Sequence, residues 1–166
     1  RTAGVRRVML CSSGQAVGGL RIPEAEHKRR AAAGGPTTIL SDGTAPTNFY
    51  ALTKLFSESL GAMYARGVEP RFPEPGNPSM QPTQNRMSVI VTRLGWFPRN
   101  VSESAAIAEN GLYSRYLSHD DAARFFVRVV ESPTPLAGEC LLCFAQSRTP
   151  DGYPEERTND EARQVL

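Results

Sequence analysis

Tyr50-Ala51-Leu52-Thr53-Lys54-Leu55-Phe56-Ser57-Glu58 lies inside an apolar periodicity that predicts a helix from about Phe49 to Arg66. Leu52, Leu55, Phe56, Leu60 and Met63 fall largely on one face of that helix. Thr47 or Asn48 can cap its start, and Gly67 stands where a left-handed C-terminal residue belongs. Upstream, Val8-Met9-Leu10-Cys11 is a short continuous apolar run, the signature of a strand buried on both faces of a parallel sheet. Downstream, Met87 to Leu94 is a second such run, rich in β-branched residues. Ser118 and Asp121 have capping-box spacing before Ala122, Phe125, Phe126, Val129 and Val130, which predicts another helix. Gly138 to Ala145 reads as a third strand, and Thr158 to Glu161 opens a last helix. Alternating strands and helices are the grammar of an α/β sheet.

Between these elements lie two loops. Gly18 to Asn48 carries the run Glu24-Ala25-Glu26-His27-Lys28-Arg29-Arg30 and a Gly- and Pro-containing tail, and reads as a solvated loop. The second loop is Pro-rich, with Pro70, Pro73, Pro75, Pro78 and Pro82. No internal repeat is visible.

At 166 residues the chain suits one ordinary domain. A net charge of +2 lacks the clustered basic excess of a nucleic-acid footprint, and no apolar run approaches the roughly 20 residues of a membrane span. The chain opens with Arg1-Thr2-Ala3-Gly4, not with a signal peptide, and the absence of an initial Met places the expected translation start upstream. Cys11, Cys140 and Cys143 are three in number. The Cys140-Leu-Leu-Cys143 spacing would be half a zinc site, but no second pair accompanies it, so buried thiols and no metal are expected. Reduced thiols fit a cytoplasmic setting.

The chemistry centres on Ser12-Ser13 at a strand end and on Tyr50 and Lys54 at a helix start. Residues four apart share a helix face, so a phenol and an ammonium can address one pocket. A free phenol, with a pKa near 10, is a poor base at neutral pH. A nearby ammonium favours the phenolate, which can then take an alcohol proton as hydride leaves. A strand-end serine can hold the same substrate oxygen. The Y-x-x-x-K spacing alone is a weak signal; its place after an apolar strand ending in Ser-Ser, and before Ile90-Val91-Thr92-Arg93-Leu94-Gly95, is what gives it weight.

Four segments, taken in order, resemble the extended short-chain dehydrogenases and reductases, the NAD-dependent epimerase/dehydratase family. They are Val8 to Gly18, Tyr50 to Glu58, Thr92 to Pro98 and Tyr116 to Ala123. Within the family, the likeness is nearest to uronate dehydrogenases. The resemblance implies the C-terminal portion of a doubly wound Rossmann-like parallel sheet with elements of a small substrate lobe. Residues 1–95 would belong to the catalytic domain, with an insertion at about 19–46, and residues 96–166 to the lobe and the returning strand and helices. It implies Tyr50 as acid/base, Lys54 as its partner on the cofactor ribose, and Ser13, five residues before Gly18, as the orienting serine. Ser12 is then a strand-end hydroxyl satisfying local backbone. Tyr50, Lys54, Trp96 and Phe97 would face an NAD or NADP cofactor. The implied activity is that of an NAD(P)-dependent oxidoreductase or epimerase/dehydratase on a sugar-like hydroxyl or carbonyl substrate, in a protein that can form a homodimer. The alternative is a non-catalytic or truncated member that acts as a binding or scaffold protein.

Arg93 is read as a strand-end residue packed against other elements, and His119, Asp120 and Asp121 as parts of a helix start. The sequence also departs from the family. Gly14-Gln15 stands where uronate dehydrogenases have Asn-His after the serine, Gly111 stands near their carboxylate-binding Arg with Arg115 offset, and Trp96 replaces a smaller residue. The family's strand, glycine-rich turn and helix for the pyrophosphate are missing from the sequence, since no periodic helix follows Gly14, Gly18 and Gly19.

Overall fold

The computed structural model describes residues 4–36, 38–67, 86–100, 102–103, 106–107 and 115–148. Three parallel strands, β1 (Arg7–Ser13), β2 (Ser88–Leu94) and β3 (Cys140–Ala145), form a sheet in the order β1-β2-β3. Met9 pairs with Ile90, and Ile90 with Leu141, so one register runs straight across the sheet. β2 is the central strand and is buried from Ser88 to Arg93, as its β-branched composition predicts for a strand covered on both faces.

Each face carries a helix layer, because alternate side chains of a strand point to opposite sides. On one side Val8, Leu10, Val89 and Val91 meet Tyr64 and Ala65 of the helix Phe49–Arg66. On the other, Met9, Ile90, Leu141 and Cys143 meet Phe125 and Val129 of the helix His119–Glu131. A parallel sheet covered on both faces is the doubly wound arrangement. Both helices start where the sequence predicts. Asn48 accepts the Ala51 N–H at 2.8 Å, and Ser118 accepts that of Asp121 at 3.0 Å. Gly67 ends the first helix with φ of 81°, a conformation in which Cβ is strained.

Two expectations need correction. The segment 19–46 is not all loop, since Glu24–Ala32 forms a helix. We number the helices α1 (Glu24–Ala32), α2 (Phe49–Arg66) and α3 (His119–Glu131). α1 has no apolar face to bury. It is supported instead by acids in its first turn, Arg29 and Arg30 in its last, and an ion pair between Lys28 and Glu24 at 2.6 Å. Arg30 reaches Asp42 through two bonds of 2.7 and 2.9 Å. At its base the insertion is pinched by Gly19 N–H donating to Ala45 and Ala45 N–H donating to Ala16.

The second correction concerns α2. It meets the sheet through Ala51, Gly61 and Ala65, while Leu52 and Phe56 are exposed on its outer side with Phe49. Small residues let the helix lie close; a Cβ on Gly61 would sit 2.6 Å from Leu10 Cδ1 and 3.2 Å from Val89 and Val91. The division at 95/96 falls at the end of β2. The Pro-rich loop, Gly111 and the last helix from Thr158 lie outside the described residues.

Candidate active site

The C-terminal ends of β1 and β2 open onto a cleft of about 380 Å3. Ser13, Gln15, Tyr50, Gly95, Trp96 and Arg115 are among its walls. Ligands of open α/β sheets bind outside the carboxyl ends of the strands, and this cleft has that position.

Ser13 ends β1 and caps the 3-10 turn Gly14–Val17, accepting the Gln15 N–H at 3.2 Å. An accepted bond leaves the hydroxyl hydrogen free to be donated into the cleft. Tyr50 is the second residue of α2 and is half exposed, so its phenol can reach a ligand. Lys54, one turn further on, places Nζ 5.4 Å from the centre of the Tyr50 ring. The same ammonium donates to the carbonyl of Cys11 on β1 at 2.9 Å, which fixes it beside the cleft instead of in its wall.

Trp96 follows β2 through Gly95, whose N–H donates to Ala145 at 2.8 Å. A Cβ on Gly95 would lie 2.7 Å from the Arg115 carbonyl, so only glycine lets the two segments approach. Trp96 is bridged to Tyr116 through its backbone, with Leu117 N–H donating to Trp96 at 2.9 Å. Its indole also bonds Glu103, whose carboxyl is held below the usual range first by the Arg99 N–H, then by the Arg99 side chain. Ser13, Tyr50 and Trp96 therefore share one cleft, with Lys54 adjacent. Phe97 is elsewhere: its ring packs edge-on against His119 at 4.5 Å.

Asp121 belongs to the start of α3. Burial acts to raise its carboxyl, but hydrogen bonds from Ser147, Arg124 and Ser118 outweigh it and hold the group below its ordinary value. Arg93 is buried and packed, as the sequence reading expects. Ser12 is different from expectation: its hydroxyl donates to the Glu58 carboxylate at 2.5 Å, not to local backbone. Glu58 has no assigned role in the sequence reading. The signal that could have found it is its place one turn after Lys54, on the same helix face.

Among the described residues, no group of three or more His, Cys, Asp or Glu could hold a metal ion. Cys140 and Cys143 are three apart on a strand and so point to opposite faces, which rules out a shared ligand. Cys143 is buried, Cys140 is half-buried with its thiol pushed up by burial, and Cys11 is exposed. No helix among the described residues is long and apolar enough to cross a membrane.

No family model matches the chain, and no curated protein does. Among solved structures, the chain is similar to uronate dehydrogenase from Agrobacterium tumefaciens, with 19% identity and a TM-score of 0.57. A tyrosine-to-alanine mutant of that enzyme complexed with NAD matches with a TM-score of 0.55 and the same identity. Both alignments cover 95% of this chain and 44% of the other, so the chain spans less than half the length of the enzyme it matches. At this identity the likeness shows a shared α/β fold.

Proposed function

We propose that this chain carries the acid/base half of a nicotinamide-dependent active site that acts on a hydroxyl or carbonyl of a sugar-like substrate. The observation that carries the reading is the convergence of Ser13 and Tyr50 on one cleft, with the Lys54 ammonium 5.4 Å from the Tyr50 ring. The uronate dehydrogenase structures, one of them with NAD, support the same reading through the fold.

The donor set of phenol, ammonium and hydroxyl fits the ribose and nicotinamide end of a dinucleotide. Lys54 and Tyr50 would hold the ribose, and Trp96 would flank the ring. A pyrophosphate is not served in the same way: the turn after β1 is the four-residue Gly14–Val17 3-10 segment, too short to offer the N-terminus of a long helix. NAD or NADP, when bound, accepts or returns the hydride. Tyr50 takes the proton of the substrate hydroxyl, and returns it in the reverse direction. Lys54 keeps its ammonium on the Tyr50 side of the cleft, 5.4 Å from the centre of the phenol ring. Ser13 donates a hydrogen bond to the same substrate oxygen and so fixes its distance from Tyr50.

The test is Tyr50→Phe in the intact chain. Turnover should fall by about a hundredfold or more, the scale of a lost acid/base group, while cofactor binding is spared. Retained turnover would sink the assignment. The second reading, a binding or scaffold protein, is favoured by the short Gly14–Val17 turn after β1; it predicts that the cleft takes a sugar-like ligand with no hydride transfer under any cofactor.

A further inference from the structure

We infer that Glu58 is a positioning residue which, through Ser12 and Arg93, sets the distance between Tyr50 and Ser13; this rests on the acid/base reading of Tyr50. One carboxylate joins three elements. Glu58 Oε1 accepts from Ser12 Oγ at 2.5 Å and from Arg93 Nε at 2.9 Å, and Oε2 accepts from Arg93 Nη2 at 2.8 Å. Every one of its partners adjoins the cleft. Ser12 precedes Ser13 at the end of β1, and Arg93 precedes Leu94 and Gly95 at the end of β2. Glu58 itself stands one turn from Lys54 and two turns from Tyr50 on α2.

The placement is a poor way to gain stability alone. The Arg93 side chain is 2% exposed and that of Glu58 11%, and removing two charges from water offsets much of their attraction. Arg93 Nη1 is also buried and meets no acceptor among the described residues, a further cost. What the pair contributes is direction. Elsewhere α2 meets the sheet through apolar contacts of Tyr64, Gly61 and Ala65, which are not directional in the way a hydrogen bond is. A bidentate guanidinium–carboxylate pair plus a third bond from Ser12 fixes the helix both along and across the strands. Arg93 is in turn held over the Phe144 ring of β3 at 5.5 Å.

The experiment compares Ser12→Ala, Ser12→Thr and Glu58→Gln with the unaltered chain and with Tyr50→Phe. Ser12→Ala deletes one bond and leaves the ion pair and the strand ladder, so it should fold. The expected result is a fall in kcat of roughly tenfold or more, the scale of a small misplacement at a reacting centre, with KM changed less than about twofold and recovery in Ser12→Thr. Glu58→Gln should lose more. Amide hydrogen exchange supplies a readout that needs no turnover: residues 13–18 and 49–54 should exchange faster in Ser12→Ala, with α3 and β3 unchanged. Unchanged kcat with unchanged exchange overturns the inference. So does faster exchange spread evenly over α3 and β3, which marks a simple staple. If Tyr50→Phe keeps full activity, or the unaltered chain has none, the acid/base reading fails by itself, and the exchange pattern alone decides whether Glu58 holds the two segments together.

Discussion

Asp121 illustrates how single side chains divide between structure and chemistry. It receives bonds from Ser118, Ser147 and Arg124 at the start of α3, where a carboxylate also meets the positive end of the helix dipole. Its folded carboxyl is held below the ordinary value of about 3.9, so its stabilisation is complete above that pH and is lost as pH falls through the lower folded value. Asp121→Asn should therefore lower urea stability near neutrality by about 0.3–1 kcal/mol, and the gap should close in strong acid. A gap that persists undiminished there would show that the charge plays no part. That Ser13, Tyr50 and Trp96 would stand around one cleft is legible in the sequence because strand-end and helix-start positions converge in a parallel sheet. Phe97 was not: being next to Trp96 does not share its direction, and the ring turns to His119. Ser12 and Glu58 escaped because their partners are 46 residues apart.

Among elements, α2 bears most of the consequences of sequence. Gly61→Ala would gain about 1 kcal/mol in helix propensity. The added methyl, however, would crowd Val89 and Val91, which are stiff β-branched residues, as well as Leu10. Overpacking of this kind costs about 1–3 kcal/mol, so the variant should melt at lower temperature than the parent. An increase in melting temperature would mean that the helix can lift from the sheet at little cost. Strands and caps were readable because continuous β-branched runs, Asn48, Gly67 and Ser118 each have a local physical effect. α1 was not, since its support comes from charge placement and from Asp42, twelve residues beyond Arg30, without apolar periodicity. The buried face of α2 differs from the one its apolar periodicity predicts for a related reason. Large apolar residues predict burial only when the neighbouring element has room for them, and here the close approach through Gly61 puts Leu52 and Phe56 outside.

For the molecule as a whole, the consequence is exposed association surface. Phe49, Leu52 and Phe56 are exposed on the outer side of α2. We propose that the chain self-associates through this side. Sedimentation should give a mass above that of one chain at micromolar concentration, and Leu52→Lys with Phe56→Glu should return it to monomer. A monomer before substitution would refute this. The central claim, that the cleft at the ends of β1 and β2 is built for the nicotinamide end of a dinucleotide, is tested most directly by titrating the folded chain with NADH and NADPH under nicotinamide fluorescence. Saturable binding that weakens in Lys54→Ala and survives in Tyr50→Phe is expected. No binding by a chain shown to be folded, or binding equally tight in Lys54→Ala, would contradict it.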